Sequence, residues 1–224
     1  PVCPNRPIVV YTRPKVDLEF CMASVVIGIP HSATTVPPDL AADMLPRVNE
    51  EFLRRESDIY TDEVYSLPNT RWLRYPWHRF VCDPNRGPTQ TTDGGVAPTT
   101  CFDEKLLYRR GHEPTRTEIR NRVEQYHLPY HAALSRLVQD PETRLFIDGH
   151  SMAREAPLRS PDRGTGRPDV NLGNDGDESG DAVADGLTLS CSPELLRFAR
   201  TRFNHWMCTL PAPDEPGPSP VTNT

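Results

Sequence analysis

The 224-residue sequence contains no unbroken apolar run approaching the ~20 residues that a membrane-spanning helix requires, so no such span is expected. It has no excess of basic charge. Its 25 Lys and Arg stand against 31 Asp and Glu, for a net charge of -6. No basic stripe is visible either, and a surface that neutralises nucleic-acid phosphates is therefore not expected. The basic residues between Arg109 and Arg122 alternate with acids, as on a solvated helix face. No charged stretch followed by an apolar core opens the chain, so no secretory leader is expected. Six cysteines are present (Cys3, Cys21, Cys82, Cys101, Cys191, Cys208), but none forms a C-x-x-C pair. That argues against a zinc knuckle or a dithiol redox motif, and for free thiols in a reducing compartment such as the cytoplasm. Neither H-E-x-x-H nor G-x-S-x-G occurs, and there is no internal repeat.

What is abundant is proline, 25 residues of it, so regular elements are expected to be short. The run "ASVVIGIPHS" (23–32) is apolar until a proline stops it, as in a strand covered on both faces. Leu40, Met44, Val48 and Phe52 form a helical stripe that Pro46 is expected to break. "RWLRYPWHRFVCDPNR" (71–86) reads as two short extended pieces, the second being "RFVCD". The Gly-, Pro- and Thr-rich stretch 87–101 is a long loop, of the kind that is functional or mobile. Thr115 and Glu118 have capping-box spacing ahead of an amphipathic helix that Pro129 should bend. "TRLFIDGH" is a third strand. Residues 163–181 form a Gly/Asp-rich loop, and Ser192-Pro193 starts a last helix. Strands alternating with helices indicate an α/β fold, with helices on both faces of a mixed sheet. One domain is expected over 1–207, followed by a Pro-rich, disordered tail over 208–224.

Three strand ends carry polar clusters: His31-Ser32, Asp83-Pro84-Asn85-Arg86, and Asp148-Gly149-His150-Ser151. In open α/β sheets ligands sit at the carboxyl ends of strands, so all three clusters can line one crevice. Two histidines and a carboxylate are a usual protein ligand set for a catalytic zinc. His31 and His150 are the candidate histidines, with Asp58 or Asp62 as the acid. Arg86 can grip a substrate carboxylate with two parallel hydrogen bonds, and Asn85 can assist it. Asp83, Asp148, Ser32 and Ser151 are candidates for supporting the ligands. His127 and His131, four apart, are a rival metal pair, but no adjacent Glu follows the H-E-x-x-H pattern and Pro129 lies between them. Ser32 or Ser151 as a nucleophile is a weaker reading, since each directly follows a histidine and adjacent side chains on an extended segment point apart. His78, His112 and His205 are read as structural or exposed.

An ordered set of segments resembles the N-formylglutamate amidohydrolase (deformylase) family. It comprises "IPHSATTVP", "SDIYTDEVY", "VCDPNRGP", "GVAPTTCFDEKLLYRRGHEPTRTEIRNRV", "YHLPYHAAL", "IDGHSM" and "PDVNLGNDG". The resemblance implies a three-layer α/β/α sandwich of the zinc carboxypeptidase and aspartoacylase type. It implies His31, Asp58 and His150 as ligands of a divalent metal, expected to be zinc, and Asn85 and Arg86 as the substrate-carboxylate grip. The implied reaction is hydrolysis of N-formyl-L-glutamate to glutamate and formate, in histidine catabolism, with a small-molecule substrate, no nucleic-acid partner and no membrane. The family continues past the helix near Phe203 with a Gly-rich strand segment and a later strand whose glutamate is read as the general base. Neither is recognisable in "NHWMCTLPAPDEPGPSPVTNT", and "PDVNLGNDG" lacks the Thr expected after Gly173. No residue of this chain is therefore assigned as base. The alternatives are a family member that keeps the metal and carboxylate grip without activity, and an interaction domain with polar turns and no metal.

Overall fold

In a computed structural model, residues 24–184, 186 and 188–209 are described, together with the backbone of 222–223. The centre is β1 (Val25–Ile29), every residue of which is buried. Its parallel neighbours are β2 (Arg71–Arg74) on one side and β3 (Leu145–Asp148) on the other. Ile27 lies opposite Trp72 in β2 and Ile147 in β3. The sheet expected to be mixed is, among the described residues, three parallel strands. Burial on both faces is what the continuous apolar run of β1 demands, because polar atoms on either face would lose water without replacement. Val25, Ile27 and Ile29 pack with Tyr65, Leu145 and Ile147. On the opposite face a Cβ at Gly28 would come within 3.1 Å of the Phe146 ring, so a glycine is what lets that ring cross the strand.

The proline-interrupted stripe after β1 becomes two short helices, α1 (Pro38–Ala41) and α2 (Glu50–Arg55), with turns around Pro46. Asn49 caps α2 through its side chain, which accepts from the Phe52 N–H at 2.9 Å. A further helix, α3 (Thr61–Val64), leads to β2. The expected extended piece "RFVCD" is not a strand: Arg79–Val81 is a turn. The reason lies in His78. Its Nδ1 accepts from the Phe80 N–H at 3.0 Å and its Nε2–H donates to Leu53 O at 3.2 Å, so the backbone curls around a buried imidazole instead of joining a ladder.

The loop 87–101 is tied internally and outwardly. Val96 N–H donates to Gln90 O, and Asp83 N–H donates to Val96 O at 2.7 Å. The capping box forms as its spacing predicts, with Thr115 Oγ1 accepting from the Glu118 N–H and the Glu118 carboxylate accepting from the Thr115 N–H. The helix is not merely bent. It runs as α4 (Arg116–Arg122), a π-helical turn (Val123–His127) and α5 (Leu128–Gln139). Pro129 has no N–H and its ring crowds the carbonyl four residues back. The chain answers with one wider turn, in which the Leu128 N–H donates to Val123 O.

Beyond β3 lie β4 (Asn171–Leu172) and α6 (Pro193–Met207), whose Ser192 cap accepts from the Leu195 N–H. The Gly/Asp-rich loop thus contains a short strand, with which β5 (Thr222–Asn223) pairs in parallel. The remainder of the expected disordered tail, from Leu210, lies outside the described residues, as do Cys3 and Cys21. Cys82, Cys101, Cys191 and Cys208 are free thiols. No helix among the described residues is long and apolar enough to cross a membrane.

Candidate metal centre and carboxylate grip

His31 follows β1 and His150 follows β3. Parallel pairing of these two strands sets both histidines at the same sheet edge, with ring centroids 5.0 Å apart. Gly149 N–H donates to Gly28 O at 2.8 Å, carrying the pairing to the residue before His150. Gly149 is needed for space rather than for a turn. A Cβ there would sit 2.8 Å from the Tyr65 ring, and Gly149 is not among the positive-φ residues. Tyr65 also donates its hydroxyl to His150 O at 3.1 Å.

Asp58 arrives from the turn between α2 and α3, and its N–H donates to His31 O at 2.9 Å. Asp58 Oδ2 lies 3.1 Å from His150 Nδ1 and 3.8 Å from His31 Nδ1, and it accepts from the Ser151 N–H at 3.2 Å. His31, Asp58 and His150 each offer one ligand atom, all within 4.8 Å of one another, so the three could hold a metal ion. Asp62 is not in this group. It pairs with Arg74 at 3.2 Å.

The outward-facing ring nitrogens are also engaged. His31 Nε2–H donates to Asp83 Oδ1 at 2.9 Å, and His150 Nε2 lies 3.3 Å from Asp148 Oδ2 and 2.8 Å from Asn85 Nδ2. The Asp83 carboxylate behind His31 fixes that ring's tautomer and leaves its Nδ1 as a lone pair facing Asp58, the arrangement that a metal-ligating histidine needs. Burial alone would lower the His150 pKa. Asp148 and Asp58 outweigh it and push the imidazole up to about 10. Burial pushes the Asp58 carboxyl up, but hydrogen bonds from His150 and His31 hold it well below the usual carboxylate range. These side chains thus draw positive charge to the point where they converge, and the donor set of two nitrogens and a carboxylate oxygen suits a divalent cation.

Asp83 is fully buried and links this group to the next. Besides His31 it accepts from Arg79 Nη2 at 2.5 Å and from the Asn85 N–H at 2.9 Å. Burial opposes its charge, while Arg79 and His31 hold its pKa far below the usual range. Arg86 Nε is buried, has no hydrogen-bond partner and lies 4.0 Å from Asp83, while the guanidinium as a whole is partly exposed. The partly exposed remainder of the Arg86 guanidinium, next to Asn85, suits an anionic ligand. Ser32 Oγ accepts from Arg74 Nε at 2.9 Å. Ser151 is exposed and reaches the group through its backbone N–H.

The rival pair, His127 and His131, stacks at 4.2 Å between centroids, but each Nε2–H donates to a carbonyl, of Arg86 at 2.8 Å and of Pro84 at 2.9 Å. His78 is buried, and His112 is partly exposed and paired with Asp43. Sequence reasoning passed over Tyr65, Arg74 and Arg79. Of these only Arg79 carried a signal, standing four residues before Asp83.

With this geometry in view, three comparisons bear on kinship. The sequence profile of the N-formylglutamate amidohydrolase family matches residues 23–208. An N-formylglutamate deformylase of Pseudomonas aeruginosa is 28% identical over 181 residues, covering 75% of this chain and 66% of that protein. The chain thus spans slightly under two thirds of that relative's length. The crystal structure of an N-formylglutamate amidohydrolase from Ralstonia eutropha superposes with a TM-score of 0.60 at 22% identity, covering 97% of this chain and 75% of that one, which supports a shared fold. A profile match over most of the chain, and a fold shared along nearly its whole length, establish that this chain belongs to the N-formylglutamate amidohydrolase family.

Proposed function

We propose that this chain hydrolyses the amide bond of N-formyl-L-glutamate, or of a closely related N-acyl amino acid, with the help of a divalent metal, in the manner of its relatives. The observation that carries the reading is the convergence of His31, Asp58 and His150, with Asn85 Nδ2 only 2.8 Å from His150 and Arg86 next to it in the chain. Zinc is the ion that a set of two histidines and one carboxylate suits best. When bound, it would polarise the acyl oxygen and acidify a water.

The chain's own residues do the rest. His31, Asp58 and His150 would hold the ion. Asp83 keeps the His31 imidazole in the ligating tautomer, and Asp148 lies behind His150. Arg86 receives the amino-acid carboxylate on the exposed part of its guanidinium, and Asn85 bridges that grip to the metal side, so the scissile amide is oriented before reaction. Asp83, touching both His31 and the Asn85 N–H, keeps the two halves in register. The wider architecture is read as the centre of a three-layer α/β/α sandwich of the carboxypeptidase type, and the place of action as the cytoplasmic breakdown of histidine.

The test measures bound metal and formate release from N-formyl-L-glutamate on one purified sample. Stoichiometric metal with turnover is expected. Metal without turnover would leave a binding member of the family that has lost the reaction, and a protein that takes up no metal would reduce the three polar clusters to turns.

A further inference from the structure

The segment Pro84-Asn85-Arg86 belongs to no strand or helix, yet it carries both residues of the carboxylate grip. Two of its three carbonyls are held from outside. His127 donates to Arg86 O and His131 to Pro84 O, one bond on each side of Asn85. We propose that His127 and His131 are positioning residues, a stacked pair of imidazoles that clamps this segment so that Asn85 and Arg86 face a substrate carboxylate. The inference rests on the reading of Asn85 and Arg86 as the carboxylate grip.

The chemistry fits a clamp better than a second metal site. A carbonyl can only accept, so both rings must carry their proton on Nε2. The Nε2 atoms of both rings are therefore turned to the backbone and away from any shared ion. His127 is buried, and its Nδ1 has no hydrogen-bond partner. Burial lowers the pKa of both rings, which keeps them neutral donors near neutral pH. The stack also depends on the helix. Residues four apart on an α-helix are neighbours, and the π-helical turn ends at His127, so it sets the angle at which this face meets the segment. The segment's inner bonds, from the Asn85 N–H to Asp83 Oδ1 and from the Arg86 N–H to Asp83 O, all run to Asp83. The clamp supplies the opposite wall.

The test uses His131→Phe, which keeps the ring and loses the donor, and His131→Gln, which keeps a side-chain N–H. With zinc-loaded protein and N-formyl-L-glutamate, His131→Phe should raise KM about fivefold or more, with kcat changed far less and bound zinc unchanged. His131→Gln should recover most of the loss. In an Arg86→Ala background His131→Phe should add little, because the group it positions is gone. Hydrogen exchange of the Asn85 and Arg86 amides, read without substrate, should quicken in His131→Phe. Unchanged exchange, loss of zinc, or a full additive loss on Arg86→Ala would each overturn the clamp. Quickened exchange in a protein that never turns over N-formyl-L-glutamate, parent included, would support the clamp and overturn the substrate reading it is joined to.

Discussion

The two halves of the candidate site are built by different means. The histidines sit directly on strand ends, so pairing of β1 with β3 brings them together without further help. Asn85 and Arg86 sit on an irregular segment and owe their place to side chains reaching in from elsewhere: Asp83 within, His127 and His131 from the helix behind. A backbone ladder is cooperative and tolerant of side-chain change. A segment held by a few individual hydrogen bonds is exposed to each single substitution.

The largest effect should fall on the strand-borne half. His150→Ala or His31→Ala should abolish stoichiometric zinc, exceeding the roughly 100-fold loss of affinity expected from removing a supporting group. Metal analysis after dialysis against zinc checks this, and retention of metal would break the idea that the strand ends make the site. Next comes Asp83→Ala, which leaves the partly buried Arg79 without its carboxylate and removes the bond shared by both halves. It should cost about 3–5 kcal/mol in urea unfolding and weaken zinc binding as well. If only metal binding suffered, the two halves would be independent.

Gly149→Ala should destabilise by about 1–3 kcal/mol, since the new Cβ meets the Tyr65 ring. Adding Tyr65→Leu should restore part of that loss, and a thermal melt reads both variants. The smallest effect near neutral pH concerns His78, whose turn leads into Asp83. Burial holds its pKa down, to about 3, so the fold favours the neutral ring. Its contribution is fully present above the unfolded value of about 6.5 and is lost as pH falls from there through the folded pKa. Stability measured from pH 7 to pH 3 should therefore fall less steeply in His78→Gln than in the parent.

The same contrast explains what could be read in advance. β1, β3, the Thr115 cap and the Ser192 cap follow from local pattern, and the structure contains them. "RFVCD" has the composition of a strand, but the buried imidazole of His78, directly before it, bends it, and a long-range partner, Leu53, completes that bend. The choice between Asp58 and Asp62 depended on where a turn between two short helices would point, which no local pattern states. The need for a glycine at 149 comes from Tyr65, 84 positions earlier in the chain, which no local pattern states. The role of His127 and His131 was hidden for the same reason, since their partners are 41 and 47 residues away.

The π-helical turn ahead of Pro129 has one more consequence. An α-helix advances about 100° per residue and a π-helical turn less, so one wide turn can hold an extra residue while the helix segments on either side keep their phase. On one side of it Arg122 is buried and donates to the Tyr108 hydroxyl. On the other, His127 and His131 face the Pro84–Arg86 segment. The extra residue is taken up within Val123–His127, and both sides keep their partners. This helix is thus a place where one residue of added length is absorbed locally, without disturbing the faces on either side of it.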